Sequence, residues 1–425
     1  MATDVDVQYF SHLNGLVLGN NWGDLIRLLD KTLVTGIAFT EITAASIDAQ
    51  GDVHITLYSA HNALLFQIVE LSGFTPNSLN QKYRIKGTPS ATELILKPST
   101  AIAEKSVTTK GTGKLASLGY EIVFRDQNDV KRVYRAKNPR AEHPFIRVDE
   151  SLTSPDGTSG VYNSSYAKYA MVGLLENMTH IDDYENPEVL QLPFDPADPA
   201  KNWKITGTGA NVVRGWSRWI WARSGNLYQS WPDSSGITNG DRNFTLTGDS
   251  NAFYLQMPVG TAAWNKRVYG AGLYDGSIKN SIDPSWFLMS RISLANASTN
   301  YLSTEVFGSP LVHGESYARF ITPFLNKAQP KQAHSSAFPI LPDFTSGNSD
   351  LYGGGSSAVL QIPFYDSSKI LRGNLKHISY NGKNFGSTNA TVSYIDDASM
   401  YIYDSAWVSG SSTVGSLVYY LGELE

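Results

Sequence analysis

Hydrophobic and polar residues alternate over residues 52–58 of the chain, within the stretch GDVHITLYSAHN. Val53, Ile55 and Leu57 fall on one side of an extended chain, and His54 falls on the other. A period of two is typical of a strand with one buried face. Similar short runs follow at the positions 66–69, 83–85 and 93–96, joined by turn-forming segments such as TPNSLNQ. The pattern therefore predicts a small antiparallel β module over residues 37–115.

A different period precedes this module. In NNWGDLIRLLDKTLVTG the apolar residues recur at helical spacing, which predicts one short amphipathic helix. Asn20 or Asn21 is expected to cap its start, and Gly36 to end it. The arm before the helix, DVQYFSHLNGLVLGN, either docks on a neighbouring molecule or forms a strand on its own domain. We expect the segment 1–36, arm and helix together, to be the docking element.

Short strand patterns continue from residue 116 to the end of the chain. GYEIVFRDQNDVKRVYRAKN and NFTLTGDSNAFYLQMPVG each predict a hairpin, the second turning at Gly248-Asp249. We divide this part into an aromatic-rich β domain over 116–357 and a C-terminal β segment over 358–425 that packs on it. The fold class expected is mainly β, with several antiparallel β-sandwich or barrel modules and one short N-terminal helix.

Composition narrows the classes of function. Of the 425 residues 17% are charged, below the roughly 25% usual in globular proteins, whereas Gly (36), Tyr (23) and Trp (9) are plentiful. Such a chain is expected to fold into β structure with uncharged polar surfaces. The net charge of −5 gives no support for nucleic-acid binding.

The chain contains no cysteine, which excludes disulfides and thiolate metal sites. The N-terminus, MATDVDVQYF, has neither the basic region nor the apolar core of a signal peptide. The chain has no run of 18 apolar residues, so no membrane span is predicted. The expectation is a protein made in a cytoplasm, which reaches any other place by assembly or lysis.

Candidate chemistry is sparse. None of the eight histidines has metal-ligand spacing such as HxxxH, and no GxSxG, P-loop or GxGxxG motif is present. The loop LYGGGSS at 351–357 is expected to be a connector and not a phosphate-binding loop. The acidic cluster at 180–185, HIDDYE, offers oxygen ligands for Ca²⁺ but lacks the spacing of a calcium loop, so a solvated loop is preferred. DPADPAK at 195–201 is expected to be a Pro-rich turn.

An aromatic run is the remaining candidate for binding. Its rings are Trp216, Trp219, Trp221, Tyr228 and Trp231. They are suited either to stacking on sugars or to filling a core or subunit interface, and the second interpretation is preferred. A glycosidase needs two carboxylates that meet in space, and the sequence identifies no such pair. No catalytic, cofactor-binding or metal-ligating residue is assigned, no cofactor is expected, and the chain is predicted not to be an enzyme.

Several short motifs occur in a distinctive order. They are His61, Ile68, Gly73, Leu79-Asn80 and Tyr83-Arg84-Ile85; then Leu118-Gly119-Tyr120-Glu121, Lys131 and Val133-Tyr134-Arg135; then Arg218-Trp219, Gly248-Asp249, Phe253-Tyr254-Leu255 and Leu371-Arg372-Gly373-Asn374-Leu375. In this order the chain resembles a family of virion structural proteins of tailed bacteriophages over nearly its whole length. It departs from the family pattern after His61, where a Gly is missing, and at Lys376, which replaces a Pro.

The resemblance implies a structural component of the virion, in the tail, baseplate or neck and collar. Such a component acts through oligomeric assembly, with other copies of itself and neighbouring virion proteins as partners. The implied location is the virion. The alternative is a receptor- or glycan-binding tail protein, which makes host surface glycan a possible partner. A glycan-degrading tail enzyme ranks below it. The resemblance implies no catalytic residue for this chain.

Overall fold

The protein is mainly β, as the sequence predicts, and the described residues form several antiparallel sheets and one α-helix. The computed structural model describes residues 3–154, 162–224, 234, 236–258, 266–278, 283–292, 311, 320–325, 334–341, 359–381, 391–409 and 413–425. Among these residues no helix is both long and apolar enough to cross a bilayer. The predicted connector at 351–357 lies outside the described residues.

The strands are numbered in chain order. The first part of the chain contains β1 Gln8–Ser11, β2 Ile37–Ala38, β3 Ile42–Ile47, β4 Val53–Leu57, β5 Ile68–Ser72, β6 Lys82–Ser90, β7 Glu93–Pro98 and β8 Thr112–Leu115. The middle contains β9 Tyr120–Arg125, β10 Lys131–Ala136, β11 Phe145–Asp149, β12 Lys168–Leu175, β13 Gln191–Leu192, β14 Ile205–Thr206, β15 Val213–Arg214, β16 Ser217–Ala222, β17 Thr245–Gly248, β18 Ala252–Met257, β19 Arg267–Leu273, β20 Asp275–Gly276, β21 Trp286–Met289 and β22 Arg291–Ile292. The last part contains β23 Phe320–Thr322, β24 Ser335–Pro339, β25 Leu360–Asp366, β26 Leu371–Tyr380, β27 Val392–Asp396, β28 Ser399–Ser409 and β29 Thr413–Glu423.

Strands β2 to β8 form a small barrel. Their order in the sheet is β2-β8-β5-β6-β7-β4-β3. The two outermost strands, β2 and β3, are separated in the chain only by residues 39–41, so the sheet must curl until its edges meet. Val53, Ile55 and Leu57 point into this barrel and are buried, as their alternation predicts.

Two further sheets pack face to face as a sandwich. The first, of seven strands, follows the order β22-β16-β12-β11-β10-β9, with β13 beside β12. The second, of thirteen strands, runs β1-β17-β18-β19-β21-β23-β24-β25-β26-β29-β28-β27, with β20 beside β26. Trp219 of the first sheet meets Phe253 of the second edge to face at 5.9 Å. The thirteen-stranded sheet contains strands from three of the four segments into which the sequence was divided. The borders of the sheets therefore do not coincide with the predicted domain boundaries, which stay predictions.

The N-terminal arm forms a strand on its own chain. Strand β1 pairs antiparallel with β17, placing Gln8 opposite Gly248. The Gln8 side chain also reaches the barrel, where Nε2 donates to the carbonyls of Ile68 at 2.9 Å and Ala116 at 2.8 Å. The arm therefore joins barrel to sandwich, and the expectation that it docks on a neighbour is wrong for this strand.

The predicted helix is present as α1, Asp24–Leu29, which continues as a π-helical segment over Asp30–Thr35. Its apolar side faces the core, with Leu25, Ile26, Leu28, Leu29 and Leu33 all buried. The apolar side of this helix therefore packs inside its own chain, and the expectation that the segment 1–36 is a docking element stays a prediction.

The predicted start of the helix is wrong, and its predicted end is correct. Gly23 precedes the first turn and gives no side-chain cap. The carboxylate of the distant Glu150 accepts hydrogen bonds from the backbone N–H groups of Gly23 and Ile26 instead. The helix ends at Gly36, whose φ of 73° favours glycine.

Candidate functional site

The aromatic run lies in the core as far as the structure describes it. Trp219 and Trp221 are completely buried, and the Trp219 indole N–H donates to the Met289 carbonyl at 2.9 Å. Trp216 is half-buried beneath Lys201, whose Nζ lies 4.4 Å from its ring centroid. Tyr228 and Trp231 lie outside the described residues. The described rings therefore fill the sandwich interior, as the preferred interpretation predicts, and none offers an open face to a sugar.

The acidic cluster at 180–185 is an ion-pair site. Asp182 accepts hydrogen bonds from Lys131 at 2.9 Å and from the buried Arg147 at 2.5 Å. Asp183 accepts from the backbone and hydroxyl of Thr179, which holds the pKa of that carboxyl below its usual value. Because these carboxylates already have partners, they are not arranged to bind Ca²⁺. Across the described ranges, no group of three or more His, Asp or Glu residues is placed to hold a metal ion.

The described histidines have structural surroundings. His54 Nε2 lies 3.0 Å from Asp48, and His377 Nε2 lies 3.2 Å from Asp249. Burial lowers the pKa of His334 to about 4, so it is neutral at physiological pH where its ring meets Trp216. His313 lies outside the described residues.

One polar cleft of about 580 Å³ opens between the two large sheets. Two of the four carboxylates that line it are paired with its two cations: Arg140 donates to Glu142 at 2.5 Å, and Lys376 lies 3.0 Å from Asp275. The hydrogen bond from Arg140 holds the pKa of Glu142 below its usual value. An ionised, paired carboxylate is suited to fixing a loop and not to donating a proton to a leaving group.

Four of the residues that carry the family resemblance connect separate parts of the chain. Arg84 is the clearest case. Its guanidinium is fully buried in the barrel wall and donates only to backbone carbonyls. Nε and Nη2 bind Asp4 O at 2.9 and 2.6 Å, and Nη1 binds Val7 O at 3.0 Å and Phe66 O at 2.7 Å. Nη2 also binds Leu421 O, in the last strand, at 3.0 Å.

This arrangement makes Arg84 a clamp between three parts of the chain: the arm, the barrel and the C-terminal strand β29. Burial lowers the pKa of Arg84 to about 10, and the group still stays charged at neutral pH. Carbonyl dipoles take the place of a carboxylate partner, and all five N–H bonds point at acceptors.

Three further motif residues act as joints. Tyr134 of β10 is buried, and its hydroxyl donates to Asp30 of the helical segment at 2.7 Å. Trp219 connects the two sheets of the sandwich through its bond to Met289. Arg372 of β26 donates to Pro323 O at 2.8 Å and lies 3.2 Å from Asp366. Neither Arg84 nor any of these three residues lines the polar cleft.

Sequence reasoning missed the roles of Glu150 and Arg84. Glu150 follows a strand in which every residue is buried, and only the fold brings it to the helix start. Arg84 stands between Tyr83 and Ile85, which are themselves fully buried. An arginine within an apolar strand pattern indicates a buried guanidinium, but the pattern does not specify which acceptors it binds.

Comparison with known proteins finds little similarity. No protein-family model matches the chain, and no curated protein matches it. Among solved structures it is similar to the phage phi92 endosialidase, with a TM-score of 0.14 and 10% sequence identity, over 92% of this chain and 51% of that chain. This chain thus spans about half the length of that protein. A TM-score this low carries no argument about function.

Proposed function

We propose that this chain is a non-catalytic structural component of a tailed-bacteriophage virion. It is made in the host cytoplasm and assembles with other copies of itself and with neighbouring proteins of the tail, baseplate or neck. The observation that supports this best is the placement of three of the residues that carry the resemblance. Arg84, Tyr134 and Trp219 are buried at joints between parts of the chain and do not surround a cleft.

Buried contacts between the parts of a chain suit a subunit of a particle. A subunit that bears load must keep its modules in one relative orientation, and buried polar contacts with defined geometry specify that orientation. The Arg84 clamp does this for the arm and for strand β29. The Tyr134 hydroxyl does the same for the helix and the seven-stranded sheet.

Two observations favour a non-catalytic role over the enzymatic alternative. Two of the four carboxylates that line the cleft, Glu142 and Asp275, are paired with cations. The buried rings of Trp219 and Trp221 cannot stack on a polysaccharide chain. A depolymerase needs an acid and a base facing an accessible groove, together with surfaces that hold the sugar.

The test is particle incorporation. A phage carrying a nonsense codon in this gene is grown with the chain supplied from a plasmid, and the particles are purified on a density gradient. We expect the chain to remain with the particles after a high-salt wash, and particles made without it to lack a defined part of the tail in electron micrographs. Abundant chain in the lysate combined with its absence from purified particles would refute the proposal.

A pair of variants on strand β6 sharpens the result. Arg84→Met removes the clamp, whereas Lys82→Met changes an exposed residue of the same strand. We expect the first to reduce incorporation and the second to leave it unchanged. In parallel, purified protein is incubated with host surface polysaccharide, and release of reducing ends would contradict the non-catalytic assignment.

A further inference from the structure

Three tyrosines form a row across the last strands of the thirteen-stranded sheet. Tyr394 of β27 lies opposite Tyr401 of β28, and Tyr401 lies opposite Tyr420 of β29. The ring centroids are 5.1 Å apart in the first pair and 5.5 Å apart in the second. All three side chains are half-buried. We call these three residues the tyrosine row.

The two outer rings of the row cover each other's faces, whereas Tyr401 and Tyr420 are tilted by 50°. Tyr394 and Tyr401 stack with an angle of only 15° between their planes. One face of each of these two rings is therefore not available to a sugar. Tyr394 is the outermost ring, and its second face points away from Tyr401, toward the edge of the sheet. Its ring contacts within the described part of the chain are with Tyr401 and Tyr403.

Strand β27 is the last strand of the sheet order, and none of the described strands pairs with its outer edge. Asp396 and Ser399 flank the two-residue turn to β28, so they form a hydrogen-bonded pair. Hydrogen-bonded pairs alternate along an antiparallel ladder, which directs the backbone groups of Tyr394 toward β28. The N–H and C=O groups of Ser393 and Ile395 consequently point outward.

We propose that β27 pairs with β27 of a second copy of this chain, antiparallel, about a twofold axis at Tyr394. This deepens the proposed function, on which it rests, by naming a partner and a surface. Ser393 of one copy then faces Ile395 of the other, and each pair exchanges two backbone hydrogen bonds. Tyr394 faces its own counterpart, which extends the tyrosine row to six neighbouring rings, three from each copy.

Neighbouring registers fit less well. Moving the axis to Ile395 places Tyr394 opposite Asp396, which ends the row against a carboxylate. Moving it to Ser393 places Tyr394 opposite Val392, which separates the two outer rings. In the proposed register Asp396 faces Val392, and the two Asp396 residues are about 14 Å apart, four residues at about 3.4 Å each. That separation exceeds the roughly 8 Å screening length at physiological salt.

The chain has no cysteine, so a single introduced thiol reports the register directly. Residues facing each other in a non-hydrogen-bonded pair have Cα atoms about 4.5 Å apart, within the roughly 4.4–6.8 Å that a disulfide spans. Tyr394→Cys therefore places two thiols within reach. Asp396→Cys is the matched control on the same strand and face, with its thiols about 14 Å apart.

Each full-length variant is oxidised mildly over a range of concentrations and run on a non-reducing gel. A five-residue edge is a small interface, so the association is expected to be weak and to increase with concentration. We expect the Tyr394→Cys chain to form at least tenfold more disulfide dimer than the Asp396→Cys chain. Circular dichroism checks that both variants keep the wild-type fold.

A second variant tests the hydrogen bonds. Ser393→Pro removes an outward N–H and leaves the ladder to β28 intact. Added to Tyr394→Cys, it should abolish the disulfide dimer. Equal dimer from the Tyr394→Cys and Asp396→Cys chains, or none from either, would overturn the self-pairing. If no disulfide dimer forms while the chain is found in particles, self-pairing is refuted and the proposed function stands. If the dimer forms but the chain is absent from particles, self-pairing stands and the proposed function is refuted.

Discussion

Replacing Arg84 by methionine removes the clamp between the arm, the barrel and strand β29. The variant keeps a long side chain in the same space but offers no hydrogen to the carbonyls. Four oxygens lose a donor, those of Asp4, Val7, Phe66 and Leu421.

The expected cost follows from these four acceptors. A buried polar group that loses its partner costs roughly 1–3 kcal/mol. The variant also avoids burying a charge, so we take the lower end, about 1 kcal/mol for each carbonyl and about 4 kcal/mol in all. Arg84→Lys has three donors for the five bonds of the arginine, and its expected loss is about 2 kcal/mol.

The loss of stability should appear first as local opening of the arm and of β29, because Arg84 binds carbonyls in both of these segments. Hydrogen exchange followed by mass spectrometry resolves the arm, residues 3–11, from the barrel. A loss of about 4 kcal/mol predicts that amide protection in β1 falls about a thousandfold, since about 1.4 kcal/mol corresponds to a factor of ten. Lys82→Met is the control. Wild-type exchange in the arm of the Arg84→Met chain, with the same urea midpoint as the control, would refute this reasoning.

Two further predictions concern pH and packing. Burial raises the pKa of Glu150 from 4.5 to about 7, so the folded state holds this proton more tightly than the unfolded state. The free energy of unfolding should fall by on the order of 3 kcal/mol as pH rises between those values. In the wild type the urea midpoint should be lower at pH 8 than at pH 5, and Glu150→Gln should not show this decrease. Gly248→Ala places a Cβ 2.1 Å from the Ala252 carbonyl oxygen. It should destabilise the fold by about 3 kcal/mol, while Gly236→Ala, whose nearest atom is 3.9 Å away, should leave the thermal midpoint unchanged.

Local patterns predicted much of the secondary structure. Alternation around Val53 predicted β4, and the turn at Gly248-Asp249 predicted the hairpin of β17 and β18. Helical spacing predicted one helix near residues 20–36, which the structure places at α1 and the π-helical segment after it. These predictions succeed because the side-chain period of a strand or helix is set by neighbours in the chain.

The candidate sites were less predictable. The spacing of Trp219 and Trp221 is the same for a core strand and for a sugar-binding strand, and only burial distinguishes the two. The acidic cluster at 180–185 likewise required the position of Arg147, which lies 35 residues from Asp182 in the chain. The tyrosine row depends on the register of three strands, which no single motif contains.

The sequence by itself determined the fold class, the positions of strands such as β4, β17 and β18, and which side of β4 faces inward, because those properties depend on periodicity over a few residues. The tertiary structure alone decided that the arm pairs with β17, that Glu150 caps the helix and that Arg84 binds four distant carbonyls. Each of these contacts joins segments far apart in the chain. The packing of whole sheets determines which groups meet in these contacts, and a local pattern of hydrophobic and polar residues does not specify that packing.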